Sequence, residues 1–320
     1  MNKIRRSVID NNKVSKLLLF SLGGFSQKVL IEGRCDDLPI LITLHGGPGT
    51  PIPFSVGCRG MFPQFTDNFI MVYWDQLGCG INNHEIDNHF TINHFVQMTC
   101  DLIDAIKKEF PSNKLFIFSM SWGSILSLLV SEQKTELIDG VVASGQIVKN
   151  IFYNEEVYNA LKENGISEKT MNKIKDTNIN NVKSKDLQLI SSLLRKKTNA
   201  YNNKKSKTNE VGKIILGLFQ SPDYKFKDFK AVIINGYKNN ISLWKEILHI
   251  NLSEKLQKVN IPYFILQGET DIVASTKIVK EICESINNRN LQYKIIKNSG
   301  HFPSKEMMDE LFKLLLSMKG

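Results

Sequence analysis

At 320 residues, with 42% apolar and 23% charged side chains, the chain can bury a large core and is not composed like a disordered or fibrous sequence. Its net charge of +9 is partly concentrated in residues 195–213. Aromatic residues are not interleaved there, so a nucleic-acid partner is not expected. Five scattered cysteines without a C-x-x-C pair speak against a disulfide framework, a zinc site or a redox pair, and fit a reducing cytoplasm.

In chain order, Lys3, Arg5, Arg6, Lys13 and Lys16 precede Leu17-Leu18-Leu19-Phe20. That apolar run is too short for a secretory signal and its cleavage pattern is poor, so a strand is expected. No apolar stretch is long enough to span a bilayer. Residues 14–32 hold two apolar runs around Gly23-Gly24 and predict a β-hairpin. Residues 39–44 predict a strand ending in His45-Gly46-Gly47-Pro48-Gly49. Three glycines and a proline in five residues impose an unusual loop whose free N–H groups can stabilise an anion. Residues 69–74 form the next predicted strand, followed by the polar loop Asp75-Gln76-Leu77-Gly78-Cys79-Gly80. Thr91 or Asn93 can cap a helix with Phe95, Leu102, Ile103, Ile106 and Phe110 on one face, ended by Pro111.

Residues 114–118 predict a buried strand, and Ile125, Leu126, Leu128, Leu129 and Val130 a buried helix. Between them lies Ser119-Met120-Ser121-Trp122-Gly123. A serine at an abrupt strand-to-helix turn, flanked by small residues, has the pattern of a nucleophile elbow. Ser119 stands where that pattern usually has glycine. Residues 141–143 predict a further strand. Wholly apolar strands alternating with helices imply a mostly parallel sheet with helices on both faces.

Three units are expected: a core over 1–145, a helical insertion over 146–256, and the rest of the core over 257–320. Within the insertion, helices are predicted at 151–162, 182–196 and 241–250. Residues 196–213, rich in Lys, Asn, Ser and Thr, read as an exposed mobile loop, and Val232-Ile233-Ile234 is ambiguous. An insertion of this size between sheet strands reads as a lid. The sheet resumes with strands at 263–266 and 291–296, and a closing helix is expected over 305–318.

A serine hydroxyl is a poor nucleophile and needs a base, itself oriented by an acid. Ser121, Asp271 and His301 each follow an apolar strand, which places all three at one edge of the sheet. Their order, Ser then Asp then His, is that of α/β-hydrolases. Glu269 is a rival for the acid. His84, His89 and His94 cluster before a helix, where a metal site is the competing use, but no H-E-x-x-H occurs and no metal is expected. The N–H of Trp122 and one from the glycine loop, Gly47 above all, are the expected oxyanion donors.

The segments at 45–49, 74–80 and 121–124 together resemble the α/β-hydrolase superfamily and, within it, the proline iminopeptidase-like serine peptidases. The resemblance covers roughly residues 26–145 and 260–318. It implies a cofactor-free Ser–His–Asp mechanism, by acyl-enzyme formation, that removes an N-terminal residue, often proline, from short peptides. It implies the same roles for Ser121, Asp271, His301, Gly47 and Trp122. The chain departs from the family at Leu77, where arginine is usual, and at Asn82, where a serine often closes the motif. The family's acidic lid residues, commonly in a W-x-x-W-E context, have only Leu243-Trp244-Lys245-Glu246 as a counterpart, which makes Glu246 a weak candidate for holding a substrate amine. An esterase or amidase for a small acyl substrate is the alternative, and a non-catalytic ligand-binding fold the second. Oligomeric state is left open by the sequence.

Overall fold

Gly23 and Gly24 adopt φ of 59° and 81°, the paired positive values that a two-residue turn requires of a right-twisted hairpin. The turn joins β1 (Val14–Leu22) to β2 (Phe25–Gly33), with Leu22 opposite Phe25. The structure is a computed structural model describing residues 3–177, 179–202 and 210–320, without the side chains of 238 and 239.

A helix not expected from the sequence, α1 (Lys3–Asn11), precedes the hairpin. The core continues with β3 (Ile40–Leu44), a single turn α2 (Pro63–Thr66), β4 (Ile70–Tyr73), α3 (Ile92–Glu109), β5 (Leu115–Met120), α4 (Trp122–Gln133) and β6 (Gly140–Ser144). Thr91, not Asn93, caps α3, its backbone N–H donating to His94 Nδ1 at 3.1 Å. Between β6 and the next strand the described residues are helical: α5 (Glu155–Glu163), α6 (Glu168–Lys175), α7 (Ser184–Lys197), α8 (Glu210–Phe219), α9 (Phe226–Ile233), α10 (Ile241–His249) and α11 (Ser253–Gln257). The chain closes with β7 (Tyr263–Gly268), α12 (Thr276–Ser285), β8 (Leu291–Ile296) and α13 (Lys305–Lys319).

The eight strands form one sheet in the order β1-β2-β4-β3-β5-β6-β7-β8. Strands β3 to β8 run parallel, and the β1–β2 hairpin joins antiparallel through β4. This is the mostly parallel α/β sheet, with helices and an inserted helical segment, that the strand–helix alternation implied. Strands β3 to β6 are buried along their whole length, which is why they read as unbroken apolar runs. Along β5, Leu115 and Ile117 face one apolar layer and Phe116 and Phe118 the other.

The ambiguous Val232-Ile233-Ile234 resolves into the end of α9 and its cap. The segment 196–213 is not one exposed loop. Its start belongs to α7 and its end to α8, Ala200 and Tyr201 are buried, and 203–209 lie outside the described residues.

Strand order reverses around β3. Its onward connection leads outward to β4, whereas β5, on its other side, leads to β6. The carboxyl ends of β3 and β5 therefore flank a crevice at the switch point, where ligands of such sheets bind.

Candidate active site

The loop after β3 and the turn after β5 meet at this crevice. Ser121 sits at the turn with φ 51° and ψ −119°, a conformation that non-glycine residues seldom hold. Its neighbours enforce it. The N–H of Ser121 donates to Ser144 O at 2.9 Å, and its carbonyl accepts from Ser124 N at 2.7 Å and Ser124 Oγ at 2.6 Å. A Cβ at Gly123 would stand 2.2 Å from Leu44 O, so only glycine lets α4 start against β3. Ser119 is accommodated where glycine is usual, because its buried hydroxyl pairs with Ser127 Oγ at 2.6 Å.

Ser121 Oγ lies 2.9 Å from His301 Nε2, and His301 Nδ1 lies 2.7 Å from Asp271 Oδ2. All three are nearly buried, at 5%, 6% and 1% exposure. The Asp271 carboxylate is fixed by the N–H groups of Val273 and Ala274, which donate to Oδ1 at 2.9 and 3.0 Å. Asp271 N–H in turn donates to Gly268 O at the end of β7. Glu269, the rival acid, instead caps Asn298 N at 3.1 Å and is exposed. With Nδ1 bonded to an acceptor carboxylate, Nε2 is the imidazole atom left to exchange a proton with the hydroxyl.

The glycine loop runs beside the serine: a Cβ at Gly46 would come within 3.2 Å of Ser121 Cβ. Gly47 has φ 120°, open to glycine, and a Cβ there would strike Gly49 N at 2.5 Å. Trp122 is the first residue of α4, so its N–H has no intrahelical acceptor and sits where the helix dipole is positive. Gln76 ties these two segments together. Its Oε1 accepts from Trp122 Nε1 at 2.7 Å, its Nε2 donates to His45 O at 3.3 Å, and its N–H donates to His45 Nε2 at 3.0 Å. Asp75 anchors the same loop, accepting from Ser55 Oγ, Val56 N, Ile81 N and, from the insertion, Tyr224 Oη. Leu77 is buried where the family has arginine, its carbonyl taking the Tyr237 hydroxyl at 2.5 Å. Asn82 holds β2 through Lys28 and bonds Asp75 O at 2.7 Å.

Sequence reasoning missed two supports. Gly145, at φ 61°, lies under the imidazole: a Cβ there would stand 3.2 Å from His301 and 3.5 Å from Asp271 Oδ2. Residues 199–201 of the insertion also grip the histidine loop. His301 N donates to Ala200 O at 2.7 Å, Phe302 N to Tyr201 O at 2.9 Å, and Thr270 Oγ1 to Asn199 O at 2.8 Å. A lone glycine after a strand and a polar surface-like segment carry no periodic signal, so neither was legible.

Two adjoining cavities, called lobes because five lining residues are common to both, lie at this site. One, of about 400 Å³, is lined by Ser121, His301, Gly46 and Gly47 together with apolar groups such as Ile52, Met120, Leu218, Val232 and Val273. The other, of about 440 Å³, sets polar Ser184, Gln188, Ser192 and Asn235 among apolar Leu187 and Tyr237. Pro48, Phe152, Ser191, Arg195 and Trp244 border both. Glu246 borders neither; its Oε2 accepts from Ile92 N at 2.8 Å, at the start of α3. Among the described residues no group of three or more His, Cys, Asp or Glu converges on one point. The clustered histidines are otherwise engaged: His94 caps α3, His84 packs on Phe25 at 5.1 Å, and His89 lies 3.3 Å from Asp87. No helix among the described residues is long and apolar enough to cross a membrane.

A family profile described as "alpha/beta hydrolase fold" matches residues 39–306. The probable aminopeptidase YbaC of Bacillus subtilis (strain 168) is 25% identical over 295 residues, 89% of this chain and 90% of that one. A proline iminopeptidase of Thermoplasma volcanium is 22% identical over 280 residues, covering 86% and 87%. Among solved structures, a serine hydrolase involved in carbazole degradation, the CarC enzyme, superposes with a TM-score of 0.62 at 16% identity, over 95% of this chain and 98% of that one.

Proposed function

Since the chain belongs to the α/β-hydrolase fold family and is a hydrolase of that fold, we propose that it is a serine hydrolase in which Ser121 is the nucleophile, His301 the general base and Asp271 its orienting acid. The observation that carries this is the unbroken chain Ser121 Oγ–His301 Nε2 at 2.9 Å and His301 Nδ1–Asp271 Oδ2 at 2.7 Å. Ser121 Oγ attacks the substrate carbonyl carbon as His301 Nε2 takes its proton. Asp271 steadies the imidazolium. The N–H groups of Trp122 and Gly47 hold the oxyanion, and losing one such donor costs about 10²–10³ in rate. His301 returns the proton to the leaving oxygen or nitrogen, and the acyl group stays on Ser121. A water, deprotonated by the same imidazole, then releases the acid. The helical insertion is the lid that covers this chemistry, and no cofactor takes part. A reducing, cytoplasmic setting is part of this reading and rests on the scattered spacing of the five cysteines.

The names of the curated relatives support removal of an N-terminal residue from short peptides. The walls of the site favour the other reading, an ester or amide without a free amine. A cationic N-terminus leaving water needs a carboxylate partner, and among the described residues no Asp or Glu lines either lobe. The test is turnover of an aryl butyrate and of proline anilide by the wild type and Ser121→Ala. The wild type is expected to turn over the ester well and the anilide poorly, with the variant slower by about 10⁴-fold or more. Equal rates for wild type and variant on both substrates would leave only a ligand-binding role for the fold.

A further inference from the structure

Among the described residues, Arg195 is the only Lys, Arg, Asp or Glu side chain that lines either lobe, and it borders both. It stands in the last turn of α7. Its guanidinium lies over two aromatic rings, 5.2 Å from the centre of Tyr201 and 5.3 Å from that of Phe302. Stacking of this kind holds the side chain in place while leaving its N–H edge free to bond. Both rings belong to the catalytic neighbourhood: Tyr201 stands edge-on to His301 at 5.7 Å, and Phe302 follows that histidine in sequence. The charge therefore lies on the histidine side of Ser121. Residues 203–209, outside the described residues, contain three lysines and no acid, so the sequence there supplies no carboxylate to neutralise it.

We propose that Arg195 binds a carboxylate carried by the leaving group, so that the substrate joins an apolar acyl chain, by an ester or amide bond, to an anionic alcohol or amine. This rests on the serine-hydrolase reading. The geometry sorts the two halves of the substrate. His301 Nε2 must hand its proton to the leaving heteroatom, so the leaving group lies on the imidazole side, where Arg195 is. The lobe beside the glycine loop, with Ile52, Met120, Leu218, Val232 and Val273 in its wall, takes the acyl chain and buries it. The second lobe, beyond Arg195, takes the remainder of the leaving group, against Leu187 and Tyr237 with the hydroxyl and amide side chains of Ser184, Gln188, Ser192 and Asn235 within its wall. A planar guanidinium and a carboxylate form paired charge-assisted hydrogen bonds. Arg195 is exposed as a residue, so the pair is part-screened and is worth about a tenfold preference rather than more.

The experiment measures kcat/KM for three aryl esters: the butyrate of 3-hydroxybenzoate, the butyrate of its neutral methyl ester, and an aryl hemiglutarate with its charge on the acyl side. The wild type is expected to prefer the anionic leaving group over the neutral one by about tenfold, mainly in KM, and to lose part of that preference in high salt. In Arg195→Gln the ratio falls to about one, in Arg195→Glu it inverts, and Arg195→Lys keeps part of it. Arg289→Gln, which changes net charge at an exposed position before β8, at the end of the sheet opposite the carboxyl rim, leaves the ratio as in the wild type. A wild type without anionic preference, or one that prefers only the hemiglutarate, overturns the proposal. So does a preference that survives in Arg195→Gln. Labelling of Ser121 by a fluorophosphonate separates the two readings: labelling without charge preference defeats this inference alone, and no labelling defeats the hydrolase reading with it.

Discussion

His45 shows how a single buried ring sets the loop proposed to hold the oxyanion. Its Nδ1–H donates to Gly46 O at 2.9 Å, while Nε2 accepts from Gln76 N–H at 3.0 Å and lies 3.5 Å from Cys79 Sγ. Only the neutral Nδ1–H tautomer fits, since a proton on Nε2 would face the donor of Gln76. Burial pushes the His45 pKa down from 6.5 to about 4. Above pH 6.5 the ring is neutral both folded and unfolded, and contributes no pH dependence. As pH falls, the unfolded ring takes a proton that the folded ring refuses, so stability is lost between about 6.5 and 4, by roughly 3 kcal/mol when complete. Chemical denaturation at pH 8 and pH 5 should therefore show the wild type losing about 2 kcal/mol more than His45→Asn. Parallel losses in the two proteins would contradict the burial argument.

At the scale of elements, the core and the insertion are sewn together at points no periodicity marks. Arg5 of α1 is buried and donates through Nε to Arg59 O at 2.6 Å, through Nη1 to Gly217 O at 2.8 Å, and through Nη2 to Gly57 O at 2.7 Å. The first and last acceptors belong to the core and the second to α8, so one guanidinium clamps the insertion to the sheet's periphery. Burial also lowers the Arg5 pKa from its usual value, the cost of holding a cation there. Beside it, Arg59 pairs with Asp223 at 2.8 Å. Arg5→Ala strands buried carbonyls and is expected to cost about 3 kcal/mol in urea unfolding, with little change in slope; a loss under about 0.5 kcal/mol would show that α1 is not a clamp. What was legible in the sequence follows from the same physics. Strands β3 to β7 and helices α3, α4 and α13 bury continuous or periodic apolar faces, and so announced themselves. Helix α1 has one buried residue, an arginine, and α12 only Val279, so neither stood out from loop sequence. Ser121, Asp271 and His301 were legible because each ends an apolar strand. Arg195 was not, because its place over Tyr201 and Phe302 depends on how the insertion folds back onto the histidine loop.

For the molecule as a whole, the parallel sheet converts sequence distance into proximity. Residues 121, 271 and 301 follow β5, β7 and β8, whose carboxyl ends share one rim, and the switch beside β3 opens the crevice they face. Helices of the insertion line the two cavities at that crevice, so in the proposed function fold and substrate choice are separable: the rim would supply the chemistry, and the helices would choose what reaches it. Mass spectrometry after reaction with a fluorophosphonate decides whether Ser121 is the nucleophile. One phosphonyl group per chain is expected, on the peptide holding Ser121, absent from Ser121→Ala and formed far more slowly in His301→Ala. A wild type that stays unlabelled, or that is labelled at another residue while hydrolysis continues, would contradict it.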